Sequence, residues 1–577
     1  MRKIPIQKII LIAILLVAAF LRLWKLGKVP VAMFGDEMDV GYHAYSILKT
    51  GRDYSGNFLP IHFQSLAEWR TPLYLYSTVP TVAIFGISPW GVRLPAAIFG
   101  ILGVIALYLL ISEIVNRQLA IVASFLLAVS PWYIQYSRAG FEATQLIFFL
   151  LIGFYFFFKS FLRKDDTKRG KYLWMAAASF CITPWIYSTA KFFTPFLLLF
   201  IFIVWRKEIF NLPKKYIIYA AVALFMVGSP IAFSTFFSGG TQRFGYISIF
   251  TDPTTEPEVG SARLRDARMR GEVGSGLRPT IVDRVIHNKF TFWASNIIPN
   301  YLSAFSTNFL FIKGDPNLRH SIDNMGELYR VEFIPLIIGI IFFFVSKIDK
   351  KIRWLMIFWI FFGVVPAAIT RDGGNHATRL ILILPPLIFL VACGLYESFL
   401  RFKGRSRLII SALYLVFFGV NFVGYQHNFW IHNPWDSERW WHAGWQEAIQ
   451  TIKKIDKDYD KVVISMSGEP AWIFFAGWYQ YPPQLWHQGY PFKKTTLAGF
   501  GEISYIDKFY FGSVGEEGIY GLGKYIDTKT LYLANAKEIG ANLIMEPGRT
   551  PPDLRLIKAI SYPSGEPAFY LFTKKGD

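Results

Sequence analysis

A chain of 577 residues that is 53% hydrophobic and 18% aromatic, with a mean hydropathy of +0.34, does not have the composition of a soluble enzyme; its apolar runs make it a polytopic membrane protein. Its 60 Lys and Arg against 40 Asp and Glu leave a net charge of +20. The basic residues fall in short loops between apolar runs, so the excess encodes topology and not a nucleic-acid surface, and two cysteines inside such runs, Cys181 and Cys393, exclude a disulfide framework or a cysteine metal site.

The first apolar run, Ile9 to Leu26, follows Arg2, Lys3 and Lys8 and shows no small-residue cleavage site before Arg22-Leu23-Trp24. It is therefore expected to be a retained helix with its N-terminus in the cytoplasm. Phe34-Gly35-Asp36-Glu37 then lies just past the outer face. The stretch Pro72 to Ser88 is about 17 residues, the lower limit for a span, and carries Pro80, Gly86, Tyr74 and Tyr76. It is expected to be re-entrant or interfacial. Crossings follow at Val92–Ile114, Gln118–Tyr133, Thr144–Leu162, Tyr172–Tyr187, Phe192–Trp205 and Tyr216–Phe237. They resume at Val331–Ser346, Trp354–Thr370, Leu380–Leu400 and Leu408–Tyr425.

That gives about eleven helices, N-terminus inside and C-terminus outside. The four densely basic loops, Arg163–Lys171, Arg206–Lys215, Lys347–Arg353 and Arg401–Arg407, all fall on the cytoplasmic side. Residues 1–425 read as a helical membrane domain with outer loops 27–90 and 238–330, the second polar, rich in Gly and Pro and in part mobile. Residues 426–577 read as a small extracytoplasmic α/β domain, with a helix at Trp445–Ile455 and strands at Lys461–Met466, Asn542–Met545 and Phe569–Thr573.

Acidic groups at a lipid–water boundary point to chemistry on a lipid-linked substrate. Glycosyl transfer from a lipid-linked phosphosugar needs a base for the acceptor proton and cations for the leaving phosphate. Asp36 and Glu37 supply carboxylates at the right height. The structural alternative makes Asp36 the N-cap of an Asp36–Leu48 helix with Asp39 at its third position. Arg70, in Arg-Thr-Pro-Leu-Tyr, either grips phosphate or snorkels to headgroups. Arg138 and Glu142, at the next outer turn, face the substrate or pair with each other. Lys191, a lone outer lysine, is a phosphate anchor. Late in the second outer loop comes Gly314-Asp315-Pro316-Asn317-Leu318-Arg319-His320, and His376-Ala377-Thr378-Arg379 lies at a helix mouth. Either Arg379 grips phosphate and His376 a sugar hydroxyl, or both are ordinary interfacial residues; Tyr42 and His320 are further candidate substrate contacts. No cofactor is called for with certainty; Glu37, His43, His320 and His376 would suit a divalent metal, but no ligand spacing argues for one.

Taken together, these pieces resemble the membrane glycosyltransferases of the GT-C fold, family 39, the group of protein O-mannosyltransferases and the lipid A aminoarabinose transferase. The resemblance rests on Asp36-Glu37 after the first helix, Arg70-Thr71-Pro72-Leu73-Tyr74, Arg93-Leu94-Pro95, and Ser137-Arg138 followed by Glu142. It implies that Asp36 is the catalytic base, with Glu37 and Glu142 placing acceptor or sugar. Arg70, Arg138, Lys191 and Arg379 would hold the polyprenyl phosphate. Thr71 stands where the family has its first proline, Trp69 where the aminoarabinose transferases carry an acid, and the tail is not the β-trefoil of eukaryotic mannosyltransferases. Trp440-Trp441-His442 is similar to the Trp-Trp-Asp motif of oligosaccharyltransferases, but lacks the aspartate and reads as an interfacial anchor.

The expected activity is an inverting transfer of one sugar from a polyprenyl-phosphate donor to a hydroxyl or amine of a lipid, glycan or protein, at the outer membrane face. A lipid-linked-glycan flippase, or an oligosaccharyltransferase-like enzyme, is the alternative. A transporter would place ionisable groups at the bilayer midplane, and here they gather at one end of nearly uncharged spans.

Overall fold

Pro and small polar residues set where the helices begin. Ser88, Asn116 and Ser130 each accept a backbone N–H through their side chains, and Pro89 and Pro131 occupy first helical positions where no N–H is needed. The computed structural model describes residues 5–576 apart from 67, 163–164, 276–277, 347 and 469, so Arg2, Lys3, Arg163 and Lys347 of the charge argument lie outside the described residues.

Among the described residues eight helices are long and apolar enough to cross a membrane, or nine if Arg117–Val129 and Pro131–Ser137, bent by 59°, form one span. Of the eleven expected, Tyr172–Tyr187 lies in a helix, Asp166–Ile186, that falls outside this set. Val331–Ser346 is represented by Phe333–Val345, whose 13 residues reach only ~20 Å. That is short of the ~30 Å hydrocarbon core. Pro72–Phe85 is a 14-residue helix, likewise too short to span upright.

The loop of residues 27–90 holds the helix Gly35–Thr50 and a two-stranded antiparallel pair, Phe63–Gln64 with Trp69–Arg70, that sets the Arg70 side chain facing that helix. The loop of residues 238–330, expected to be in part mobile, is largely helical, with Gln242–Ile247, Thr255–Met269, Ile281–Ile286 and Lys289–Ser303. It is tied to the residues just after the Lys350–Ala368 helix by Ile249 N–H to Ile369 O at 3.0 Å and Arg371 N–H to Ile247 O at 2.9 Å. These bonds hang the Gln242–Ile247 helix over the end of the bundle.

The tail is a seven-stranded mixed sheet. In spatial order its strands are Lys493–Leu497, Gly501–Ile506, Phe509–Phe511, Lys461–Ile464, Thr530–Asn535, Pro567–Lys574 and Leu554–Ser561. Lys461–Ile464 runs parallel to both neighbours; the other pairs are antiparallel. The expected helix Trp445–Ile455 and the strands near 461 and 569 are present. Asn542–Met545 is a turn and not a strand, because the Asn542 side chain accepts from the N–H groups of Ile544 (3.0 Å) and Met545 (3.3 Å).

The tail shares a hydrophobic core with the loop of residues 27–90. Met38, Tyr42 and Tyr54 pack with Phe474, Trp478 and Trp486. A Cβ at Gly477 would stand 2.0 Å from Met38 Sδ, so with Met38 in its present place the Ala471–Tyr479 helix approaches Gly35–Thr50 this closely because residue 477 is glycine. Trp441, expected as an interfacial anchor with Trp440, is fully buried in the membrane-domain core, edge-on to Phe34; Trp440 is 41% exposed.

Topology is tested by cysteine labelling from outside intact cells. Cysteines placed at the exposed Ser261 and Glu516 are expected to react, and one at the exposed Thr167 is not. Labelling at Thr167 would show that Pro72–Phe85 crosses or that the bent pair Arg117–Val129 and Pro131–Ser137 does not, and would reverse the expected side of that loop.

Candidate functional site

Asp36 and Glu37, neighbours in the first turn of Gly35–Thr50, have opposite environments. Phe34 caps that helix without a side-chain hydrogen bond, so Asp36 is not the N-cap. Its side chain is 39% exposed and meets Arg70, with Nη2 to Oδ1 at 2.7 Å. Burial alone would push the Asp36 carboxyl up, but Arg70, with Arg319 and Arg243 farther off, overrides it and holds the group below the ordinary carboxylate value. Asp36 is therefore ionised and reachable.

Glu37 is completely buried. Both its oxygens accept from Arg93, from Nε and Nη2 at 2.7 Å, and Oε1 also accepts from the Gly140 N–H at 2.7 Å. Arg93 in turn donates to the carbonyls of Pro30 (2.9 Å), Leu26 (3.4 Å) and Ala32, and lies against the Trp441 ring. Glu37 is thereby enclosed, and the structure does not bring it to the reacting face.

Arg70 anchors a network of acids. Besides Asp36 it faces Asp39 at 3.6 Å and Glu68 at 3.7 Å. Asp39 accepts from Tyr54 Oη and Ser65 Oγ, each at 2.7 Å; burial pushes its carboxyl up to about 6 in spite of Arg70. Glu68 also accepts from Arg243 Nη1 at 2.7 Å. Glu142, 9% exposed, shares the field of Arg70 and Arg243, and burial nevertheless pushes its carboxyl up.

Around this network stand cations with no carboxylate in ion-pair contact among the described residues. Lys191 Nζ donates to His62 Nε2 at 2.8 Å and to the Gly240 carbonyl at 3.2 Å. His62 is held neutral, its pKa pushed down to about 3 by burial and by Lys191, and its Nδ1 meets Ser234 Oγ at 2.7 Å. Arg379 Nη1 donates to Thr370 Oγ1 at 2.7 Å. Arg319 Nε donates to Asn317 Oδ1 at 3.3 Å, and its guanidinium covers the Phe34 ring. Arg243 couples the set electrostatically, acting on Asp36, Glu142, Lys191, His376 and Arg379. Four cations, Lys191, Arg243, Arg319 and Arg379, thus gather beside one ionised carboxylate.

Of the residues singled out from sequence, Asp36, Arg70, Glu142, Lys191 and Arg379 come together here. His320 and His376 meet each other beside the group, with ring centroids 4.9 Å apart. Arg138, expected on the phosphate, is buried elsewhere. Its guanidinium donates to the carbonyls of Leu21 (2.9 Å), Trp24 (2.8 Å) and Val29 (2.8 Å) and lies on Trp430. Leu21 and Trp24 lie at the C-terminal end of the first helix, whose last carbonyls need donors, and Val29 lies in the turn that follows, which is why the arginine turns inward. Tyr42, expected on the substrate, instead donates to the Tyr481 carbonyl of the tail at 2.9 Å. His43, a composition-based metal ligand, is buried against Tyr54 and Asp39, and burial pushes it down to about 3. Sequence reasoning missed Arg243 and Glu68. Arg243 is one of seven arginines between 242 and 285, with nothing to mark it out, and Glu68 carries only a hint from its place two before Arg70.

Residues 70–233, which contain Arg70, Arg93, Arg138, Glu142 and Lys191, match the family described as "Dolichyl-phosphate-mannose-protein mannosyltransferase". Two curated relatives come from Bacillus subtilis (strain 168). "Putative mannosyltransferase YkcB" is 28% identical over 177 residues, 30% of this chain and 23% of that protein. "Putative mannosyltransferase YycA" is 26% identical over 172 residues, 29% of this chain and 23% of that protein. The matched segment thus spans under a quarter of the length of these curated relatives. The crystal structure of ArnT from Cupriavidus metallidurans bound to undecaprenyl phosphate superposes with a TM-score of 0.53 at 10% identity, covering 98% of this chain and 97% of that one. The chain has the fold of that protein, a GT-C membrane fold with a C-terminal sheet domain, as the sequence motifs implied.

Stability separates the two adjacent acids. Arg93→Met is expected to lower unfolding stability by about 3–5 kcal/mol, because it strands a buried carboxylate. Asp36→Asn, at a part-exposed carboxylate whose buried partner Arg70 keeps Asp39 and Glu68, is expected to cost less, about 1 kcal/mol. Thermal unfolding in detergent checks both.

Proposed function

We propose that this protein is an inverting glycosyltransferase that moves one hexosyl or pentosyl unit from a polyprenyl phosphate to an acceptor hydroxyl or amine at the outer face of the cell membrane. The observation that carries this reading is the ionised, reachable Asp36 beside a group of cations of which three lack a carboxylate partner among the described residues. Such a surplus of positive charge suits an anion that the free chain does not itself supply. The relation to mannosyltransferases over residues 70–233 and the fold shared with a protein crystallised with undecaprenyl phosphate support the same chemistry.

In this mechanism the acceptor O–H or N–H attacks the anomeric carbon from the face opposite the phosphate. The bond from that carbon to the phosphate oxygen breaks with its electron pair going to phosphate, the new bond to the acceptor forms, and the acceptor proton passes to Asp36. Arg243, Arg319, Arg379 and Lys191 offset the charge that builds on the phosphate, so no strong general acid is needed. Arg70 holds the Asp36 carboxylate in place, Glu142 borders the acceptor side, and the Glu37–Arg93 pair fixes the helix turn that carries Asp36. The acceptor remains a hydroxyl or amine on a lipid, glycan or protein.

Asp36→Asn keeps shape but loses basicity. It is expected to lower turnover by about 10²–10⁴-fold with donor affinity little changed. Retained turnover in the folded variant would remove Asp36 from the chemistry.

Arg243→Ala and Arg379→Ala each remove one charge-assisted contact, worth about 1.5–3 kcal/mol. Each is expected to weaken binding of a polyprenyl-phosphate sugar by about 10–150-fold. Unchanged affinity in both, measured by titration of the donor against purified protein, would move the phosphate site away from this cluster.

A further inference from the structure

The polar turn Gly314–His320 and the mouth of the Ala377–Leu380 helix meet in a group that the transfer chemistry does not use. Asp315, His320 and His376 each offer one ligand atom, and the three atoms lie within 4.8 Å of one another. We infer that these three side chains form a binding site for one divalent transition-metal ion, of which zinc is the natural occupant, clasping the second outer loop to the helix mouth that carries Arg379.

The groups around the three side chains hold them ready for a metal. Asp315 is 4% exposed, with Oδ1 accepting from the Asn317 N–H at 2.9 Å and Oδ2 from the Ala377 N–H at 2.8 Å. These bonds fix the carboxylate while leaving each oxygen a further lone pair. The Nδ1 of His376 is buried, lacks a hydrogen-bond partner among the described residues, and stands 3.9 Å from Asp315 Oδ2. His320 is oriented by the hydroxyls of Tyr136 and Thr378, at 3.0 and 3.1 Å from its Nδ1, the kind of outer support that ligating histidines receive.

Two imidazoles and a carboxylate are a zinc-type donor set. Around zinc, ligand atoms ~2.1 Å from the metal stand ~3.4 Å apart, so closing the present spacing needs about 1 Å of side-chain movement. Arg319 and Arg379 oppose a cation here, but Glu327, whose Oε1 accepts from the Asp315 N–H at 3.1 Å, and Asp36, which acts on His320, weigh on the other side. Binding would give the unpartnered His376 nitrogen and the buried Asp315 carboxylate a common partner. The site does not depend on which sugar is moved.

The test uses the purified full-length protein in detergent, stripped with a chelator and titrated with zinc chloride, with bound metal counted by mass spectrometry. One zinc per chain is expected for the unaltered protein and for the control His287→Ala, whose ring pairs with Asp266 at 2.7 Å and is not one of the three ligands. His376→Ala and Asp315→Asn are each expected to bind at least about tenfold more weakly. His376 is part-exposed, so its variant remains informative if Asp315→Asn fails to fold. Cobalt substitution is expected to give the visible absorption of a low-symmetry site, lost in the same variants. No stoichiometric metal in the unaltered protein, or zinc held equally well by His376→Ala, would overturn the site.

Discussion

The enclosed pair of Glu37 and Arg93 is the constraint on which the rest of this site depends. One guanidinium binds a carboxylate with two parallel hydrogen bonds and also satisfies the carbonyls of Pro30 and Ala32, while the same carboxylate takes the Gly140 N–H. Three separate stretches, the turn after the first helix, the start of the Pro89–Ile114 helix and the turn before Ala143, are thereby referred to a single point. Buried ion pairs of this kind add little net stability when compared with an apolar replacement, but a half-broken one is severe. Its role is positional: the residue before Glu37 is Asp36, and a fixed Glu37 leaves Asp36 few directions to point.

The surrounding charges show a division of labour. Carboxylates cluster on the first-loop side, where Arg70 gathers Asp36, Asp39 and Glu68, and cations arrive from the start of the Ser188–Phe210 helix (Lys191), from the loop of residues 238–330 (Arg243, Arg319) and from the later helix mouth (Arg379). Glu68–Arg243 is the ion pair that bridges the two sides, and Arg319 over the Phe34 ring is a second contact between them. The membrane domain alone does not assemble this group. It needs the Gln242–Ile247 helix, hung from residues 369 and 371 by backbone hydrogen bonds, to bring Arg243 across.

Much of the fold was legible because membrane proteins write their architecture in hydropathy and charge. The first helix and the short Pro72–Phe85 helix follow from apolar run length, and two of the tail's seven strands, near 461 and 569, from alternation. What failed did so for local reasons. Phe333–Val345 is apolar but too short once its flanking residues take other conformations, and Asn542 diverts its segment into a turn. At the site, Asp36 and Arg70 were legible from their place after the first helix. Arg138 was legible only as a charge at an outer turn, since no pattern tells whether a guanidinium faces solvent or the frayed carbonyls of a neighbouring helix. Arg243 was hidden in a segment whose composition suggests disorder, and only tertiary contacts single it out.

The glycine-to-methionine contact between the tail and the first outer loop has a consequence for how such a chain can diverge. Gly477 and Met38 occupy one volume, and Tyr42 one turn further on is pinned to the Tyr481 carbonyl. Side chains at 38 and 477 cannot drift separately: bulk gained on one side has to be given up on the other. The outer strands of the tail's sheet are not tied to this contact, but its Ala471–Tyr481 stretch is inherited as a unit with the helix that carries Asp36. Exchanging tails between distant relatives would therefore transplant cleanly only if that helix travelled with them.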